Sequence, residues 1–306
     1  MTVTVIILTR NAGAGLSSVL AMITNQSVRP DRLILLDSSS SDGAVERAKA
    51  MNVEVVTIPV TDFNHGATRE MARNLTGSDV VVFMTQDALP CNDKLIEELI
   101  KPILSGAAAV SYARQIPRKH ADIFEAFPRQ YNYPGASNLR GIEDIDTYGV
   151  YTFFCSDSCA AYLNSALDEI GGFRPTLTNE DYFAVARLLQ IGYKVAYTAD
   201  AQVEHSHTYT LYEEFMRYFD TGYVRAENFW VQDLAGQAEG RGKDYFIQLV
   251  KTLVTSNPWL IPYAVVNTFV KLLGYRIGFA SLKAPKLFKK LLSGQKYYWD
   301  SRYNSH

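Results

Sequence analysis

Short apolar runs alternate with segments of helical spacing through the first hundred residues. Val3–Leu8, Leu33–Asp37, Val53–Ile58 and Val80–Met84 are rich in β-branched residues or leucine, without polar alternation. Leu16–Ile23, Ala44–Met51 and Ala67–Leu75 lie between them with apolar residues at the helical period. Strands apolar on both faces, separated by helices, predict a parallel sheet covered on each side. In such sheets ligands bind beyond the carboxyl ends of the strands. Three of those ends are polar: Thr9-Arg10-Asn11, Asp37-Ser38-Ser39-Ser40-Ser41-Asp42-Gly43 and Thr85-Gln86-Asp87-Ala88. One such end is ordinary turn chemistry, and Asp42 suits the N-cap of the helix after it. Three together imply one polar cleft.

After Pro102 the alternation breaks. Ala107–Ala113 reads as one more strand, and residues 116–151 are rich in Pro, Tyr, Asn and Gly with weak periodicity. That composition predicts an irregular, aromatic-lined region where a second substrate docks. Order returns with Leu163–Ile170, and Gly171-Gly172-Phe173 follows. A helix is expected to open at Asn179 as N-cap, with Glu180 and Asp181 in its first turn and Gly192 at its end. Tyr193–Tyr197 reads as a strand, and from about Thr210 the chain reads as helical.

Composition narrows the class. The 306 residues are 47% hydrophobic and 20% charged, as in a globular protein with a sizeable core. Disordered, collagen-like and disulfide-scaffold chains are excluded. Cys91, Cys155 and Cys159 make no framework, and no second Cys/His pair at ligand spacing completes a zinc site. They read as reduced thiols of a cytosolic protein. The apolar start has no basic region before it and is too short for a signal peptide. The net charge of −2 hides a split, +8 from Lys251 to His306 against −10 for the remainder. Such asymmetry suggests a basic segment facing an anionic surface.

The order of these pieces resembles the inverting family 2 glycosyltransferases over about residues 3–207. The ordered set is Ile6–Asn11, Asp37 with Asp42-Gly43, an acidic motif after the fourth strand, Gly-Gly-Phe, Glu180-Asp181 and a distal histidine. Within that set, Phe63-Asn64-His65-Gly66-Ala67-Thr68-Arg69, Thr85-Gln86-Asp87-Ala88 in place of Asp-x-Asp, and His205-Ser206-His207 look like the bacterial rhamnosyltransferase branch. Glu70 departs from the asparagine expected after Thr-Arg. The resemblance implies an α/β GT-A fold, a Rossmann-like mixed sheet flanked by helices with a C-terminal helical extension. It implies a nucleotide-sugar-binding half at 1–112, an acceptor-binding and catalytic half at 113–209, and a helical region at 210–306 with a basic amphipathic membrane-associating tail.

The chemistry implied is transfer of L-rhamnose from dTDP-L-rhamnose to a hydroxyl of a lipid-linked glycan in O-antigen, capsule or cell-wall polysaccharide synthesis. Asp181 is the expected general base, with Glu180 beside it; helix N-terminal electrostatics is the plainer reading of both. Asp87, His205 and His207 are the expected ligands of a divalent cation, Mn²⁺ or Mg²⁺, His205 and His207 competing for one role. Thr9, Arg10, Asn11, Asp37, Asp42, His65, Gly66, Arg69 and Gln86 are expected around the nucleotide sugar. Asp37 can accept from the N3–H that thymine and uracil share, so a UDP-hexose donor stays open. For Gly66 a turn and for Arg69 a surface charge are the competing readings. A non-catalytic nucleotide-sugar-binding scaffold is the rival from another class, suggested by Thr85 in the first acid's place.

The tail decides location. Leu253–Phe279 is apolar but interrupted by Pro258, Pro262, Asn267 and Lys271, short of a convincing span. Lys283–Leu292 mixes cations and apolar residues on a helical period, and Tyr297, Tyr298 and Trp299 are candidate interfacial anchors. The expected partners are the membrane surface and a polyprenyl-diphosphate-linked glycan acceptor, with no nucleic acid, placing the protein at the cytoplasmic face of the cell membrane. A packing or homodimer element is the alternative for the tail, and a transmembrane hairpin at 253–280 a third.

Overall fold

The computed structural model describes residues 1–235 and 239–304. In chain order the elements are β1 Val3–Thr9, α1 Gly15–Thr24, β2 Arg32–Asp37, α2 Ala44–Ala50, β3 Glu54–Thr57, α3 His65–Asn74, β4 Val80–Thr85, β5 Leu89–Pro90, α4 Leu95–Leu104, β6 Val110–Ile116, α5 Ile123–Asn132, β7 Asn138–Arg140 and α6 Ile145–Tyr148. There follow β8 Cys159–Leu163, α7 Asn164–Glu169, α8 Glu180–Gln190, β9 Val195–Glu204, α9 Leu211–Glu227, α10 Trp230–Ala235, α11 Glu239–Ser256, α12 Ile261–Ala280 and α13 Lys286–Leu292. The chain forms two compact units, one of residues 1–143, 153–175 and 180–206, the other of 144–152, 176–179 and 207–306.

The first unit is built on a mixed nine-stranded sheet in the order β3-β2-β1-β4-β8-β6-β9-β5, with β7 paired to β9. β1 lies parallel between β2 and β4, with Thr9 opposite Asp37 and Leu8 opposite Thr85. Strand order reverses at β1, so the three polar ends converge on one crevice. All seven residues of β1 are buried, which explains its lack of polar alternation. Val5, Ile7, Leu35 and Val82 pack in one core with α1 (Leu16, Leu20, Ile23) and α4 (Leu95, Leu99, Ile103). β8 runs antiparallel between β4 and β6 and makes the sheet mixed.

Two stretches differ from the sequence reading. Residues 116–151 are not irregular throughout: α5 lies within them, capped by Asp122, which accepts from the Glu125 N–H at 2.8 Å. Pro128 inside the helix and its crowded aromatic residues blur the period. The strand expected at 193–197 runs on to Glu204, because the polar positions Asp200, Gln202 and Glu204 alternate with buried Ala199, Ala201 and Val203. That extension delivers His205.

In the second unit α9 starts at a capping box, Thr210 and Glu213 each satisfying the other's backbone N–H. α9 and α12 approach so closely that a Cβ on Gly222, Gly274 or Gly278 would strike the carbonyl oxygen of Tyr275, Phe215 or Phe219. Tyr298 and Trp299 are buried, which corrects their reading as interfacial anchors. Trp299 packs edge-on to Tyr223 at 5.0 Å, and the buried Lys289 ammonium sits 5.3 and 5.2 Å from the two ring centres. These cation–π contacts seal the chain end into the unit. Among the described residues no helix is long and apolar enough to cross a membrane.

Candidate active site

The crevice is laced by its own side chains. Gln86, at the end of β4, accepts from the Thr9 hydroxyl at 2.9 Å and the Arg10 N–H at 2.7 Å, tying β4 to β1. Asn11, at φ +50°, donates its N–H to Ser40 and accepts from the Ser41 N–H. Asp42 accepts from the N–H groups of Gly13 at 2.6 Å and Ala44 at 3.1 Å and pairs with Arg47 at 3.0 Å. The Gly13 N–H, helped by Ala44 and Arg47, holds the Asp42 carboxyl below its ordinary range. Its oxygens are occupied with loop structure. Asp37 differs. It is fully buried; Oδ2 accepts from the Ser40 N–H at 3.0 Å, while Oδ1 has no hydrogen-bond partner. The hydroxyls of Ser38 and Thr85 are also buried without partners. Such atoms cost stability unless something fills them.

The end of β9 meets the end of β4. His205 Nε2 lies 3.5 Å from Asp87 Oδ1, and Nδ1 faces Gln115 Oε1 at 3.1 Å. With its Nδ1 proton on Gln115, the imidazole turns Nε2 toward the carboxylate, the arrangement in which a histidine ligates a metal. A carboxylate oxygen and an imidazole nitrogen fit Mn²⁺ or Mg²⁺. Arg118 stands 3.6 Å from the other Asp87 oxygen. His207, two residues beyond His205, belongs to the second unit.

Asp181 sits in a cluster that brings three carboxylates to one guanidinium. Arg69 Nε is 2.8 Å from Asp157 Oδ2, and Nη1 pairs with Glu180. Tyr162 donates to Asp157 Oδ1 at 2.6 Å. The Asp157 N–H donates to Asp181 Oδ2 at 3.2 Å and the Tyr182 N–H to Oδ1 at 2.7 Å, which fixes the carboxylate. Asp157, Glu180 and Arg69 are buried, and Asp181 alone keeps partial exposure. Burial pushes Asp181 up to about 6, with Glu180 adding to it and Arg69 opposing. Burial works against the Arg69 charge, but Glu180 and Asp157 outweigh it and keep the guanidinium protonated. Arg69, expected at the nucleotide, is therefore placed with the acids of α8. Its surface-charge alternative fails, because the side chain is buried.

The same helix α3 explains its neighbours. Asn64 caps it, accepting from the Ala67 N–H at 3.1 Å. His65 stacks edge-on to Phe63, and burial, with Arg69 adding, holds its imidazole down to about 3, hence neutral. Gly66 has no space for a Cβ because the Arg174 carbonyl is there, so backbone packing makes glycine necessary. Glu70 accepts from the Phe173 N–H at 2.8 Å and fills the place a Gly172 side chain would need. The departure at position 70 thus serves Gly-Gly-Phe. Sequence reasoning missed Asp157, Gln115 and Arg118. Each lies in or beside a strand among other polar residues, with nothing local to single it out, and only the pairing of β8 and β9 with their neighbours brings it to the site.

The fold is that of the GT-A glycosyltransferases. A mannosyltransferase of Pyrobaculum calidifontis, solved with GDP-Man and Mn²⁺, superposes with a TM-score of 0.57 over 96% of this chain and 84% of its own, at 16% identity. Residues 4–171 match the Glycosyl transferase family 2 domain, and the chain belongs to that family. Its sequence is 39% identical over 98% of its length to the O-antigen chain rhamnosyltransferase RfbN of Salmonella typhimurium, covering 97% of that protein. It is 37% identical over 97% of its length to the O-antigen chain rhamnosyltransferase WbaN of Salmonella anatum, covering 96% of that one.

Proposed function

We propose that the protein transfers L-rhamnose from dTDP-L-rhamnose, with inversion, to a hydroxyl of a polyprenyl-diphosphate-linked glycan in O-antigen synthesis. The two nearly full-length relatives support the sugar and the pathway class. The observation that carries the chemistry is Asp181, a carboxylate fixed by two backbone N–H groups, the one partly exposed member of a buried acid cluster, and pushed by burial up to about 6. A base with a pKa just below neutral is ionised at working pH yet still basic enough to take a proton.

In this reading the acceptor hydroxyl gives its proton to Asp181 as its oxygen attacks the anomeric carbon. Glu180, paired with Arg69, positions that helix turn without touching the substrate. Asp37 Oδ1 accepts the thymine N3–H, and Thr9, Arg10, Asn11 and Gln86 line the same crevice. Asp87 and His205 would hold the divalent cation, with His207, two residues beyond His205, the competing histidine. When bound, that cation supplies positive charge to the departing diphosphate. The protein works at the cytoplasmic face of the cell membrane, where a lipid-linked acceptor is presented.

Thermal stability with Mn²⁺ and a donor panel tests the donor. A ligand at about a hundred times its Kd stabilises by roughly 2.7 kcal/mol. dTDP-rhamnose is expected to raise Tm selectively over UDP-glucose, UDP-galactose and GDP-mannose. Uracil offers Asp37 the same N3–H, so a preference for a UDP-sugar would replace the donor and keep the mechanism. Silence with every donor favours a scaffold.

A further inference from the structure

The outer face of α12 is apolar and uncovered. Ala264, Asn267, Gly274 and Gly278 turn inward, and Val265, Phe269 and Leu272 turn outward on the opposite side, Phe269 at 62% and Leu272 at 52% exposure. Trp259, in the turn before α12, is 70% exposed. Five residues beyond the helix, α13 exposes Leu287 at 79% and Leu291 at 64%. Exposed large apolar side chains gathered on successive elements of the chain mark an interaction site.

Charge selects the occupant. From Lys251 to Trp299 the sequence holds eight Lys or Arg and no Asp or Glu. Asp300, the next residue, pairs with Lys286 at 3.2 Å and with Lys290, while Arg276 closes the outer stripe of α12 and Lys283 is exposed just before α13. A second copy docking through this face would set the same cations against each other, since an isologous contact uses one patch twice. An anionic leaflet complements both the apolar stripe and its cationic border.

We infer that the outer face of α12, with Trp259 and α13, is the docking surface for an anionic lipid leaflet. It lies in the plane of the interface. The anchors are Trp259 and Phe269, in place of Tyr298 and Trp299, whose rings are taken up by the interior. The inference rests on the membrane location proposed above and names the surface responsible.

Flotation of the full chain with phosphatidylcholine vesicles, with and without about a third phosphatidylglycerol, tests it. The chain is expected to float with the anionic vesicles and to remain behind with the neutral ones. Phe269→Asp with Leu272→Asp should lower the floated fraction at least tenfold while Tm is kept, because both side chains already face solvent. Bromine-labelled lipid should quench the wild type more than Trp259→Phe. Flotation that survives the double substitution would overturn this surface and leave the location standing. No flotation with either vesicle would overturn both. A dimer in sedimentation that the double substitution dissolves would assign the face to a second copy instead. None of these readouts depends on the sugar donor.

Discussion

At the scale of residues, three carboxylates around one guanidinium leave more negative charge than Arg69 can neutralise, and Asp181, held by two backbone N–H groups, is the member that faces outward. Asp181→Asn is expected to lower kcat by about 10²–10⁴ with donor affinity unchanged, measured by turnover beside calorimetry. Its pH signature is opposite to that of a salt-bridged acid. The folded value of about 6 lies above the unfolded range, so the native state holds an extra proton between those values and loses stability as pH rises through 6. The Asn variant lacks that loss, so its Tm relative to wild type should climb between about pH 4 and 7 and stay level above that. Asp37 gives a second residue-scale test. Asp37→Asn keeps the shape but removes the charge from the unpartnered oxygen, and donor affinity should fall about tenfold to a hundredfold. An unchanged Kd would remove Asp37 from base recognition.

At the scale of elements, helix crossings without room for a Cβ set the geometry. Gly278→Ala places a methyl against the Phe219 carbonyl and should cost about 1–3 kcal/mol as α9 and α12 separate. Gly242→Ala, in α11 with open space around it, should add about 0.5–1 kcal/mol. Thermal melts of the pair distinguish close packing from helix propensity. The elements of the first hundred residues were legible because burial on both faces writes continuous apolar runs, as in β1 and β4. α5 was not, because Pro128 and clustered aromatics interrupt its period. β9 was cut short because its second half alternates polar and apolar residues.

At the scale of the whole molecule, ends of strands far apart in sequence converge. Gln115 of β6 holds the imidazole that follows β9, opposite the carboxylate that follows β4. Gln115→Ala is expected to weaken Mn²⁺ binding about 10- to 100-fold by freeing that ring, read by metal titration. Chelation should abolish turnover, and added Mn²⁺ should restore it. The sequence by itself determined the strand–helix rhythm, the polar strand ends, the Glu180-Asp181 pair and the basic apolar tail, because local periodicity and charge are written in neighbouring residues. Only the tertiary structure decided that Arg69 is buried against Asp157 and Glu180. It also decided that Asp157 and Gln115 belong to the site and that Tyr298 and Trp299 lie inside. Those outcomes depend on which distant strands and helices pair, and a buried charge or ring takes whatever partner that pairing brings within reach.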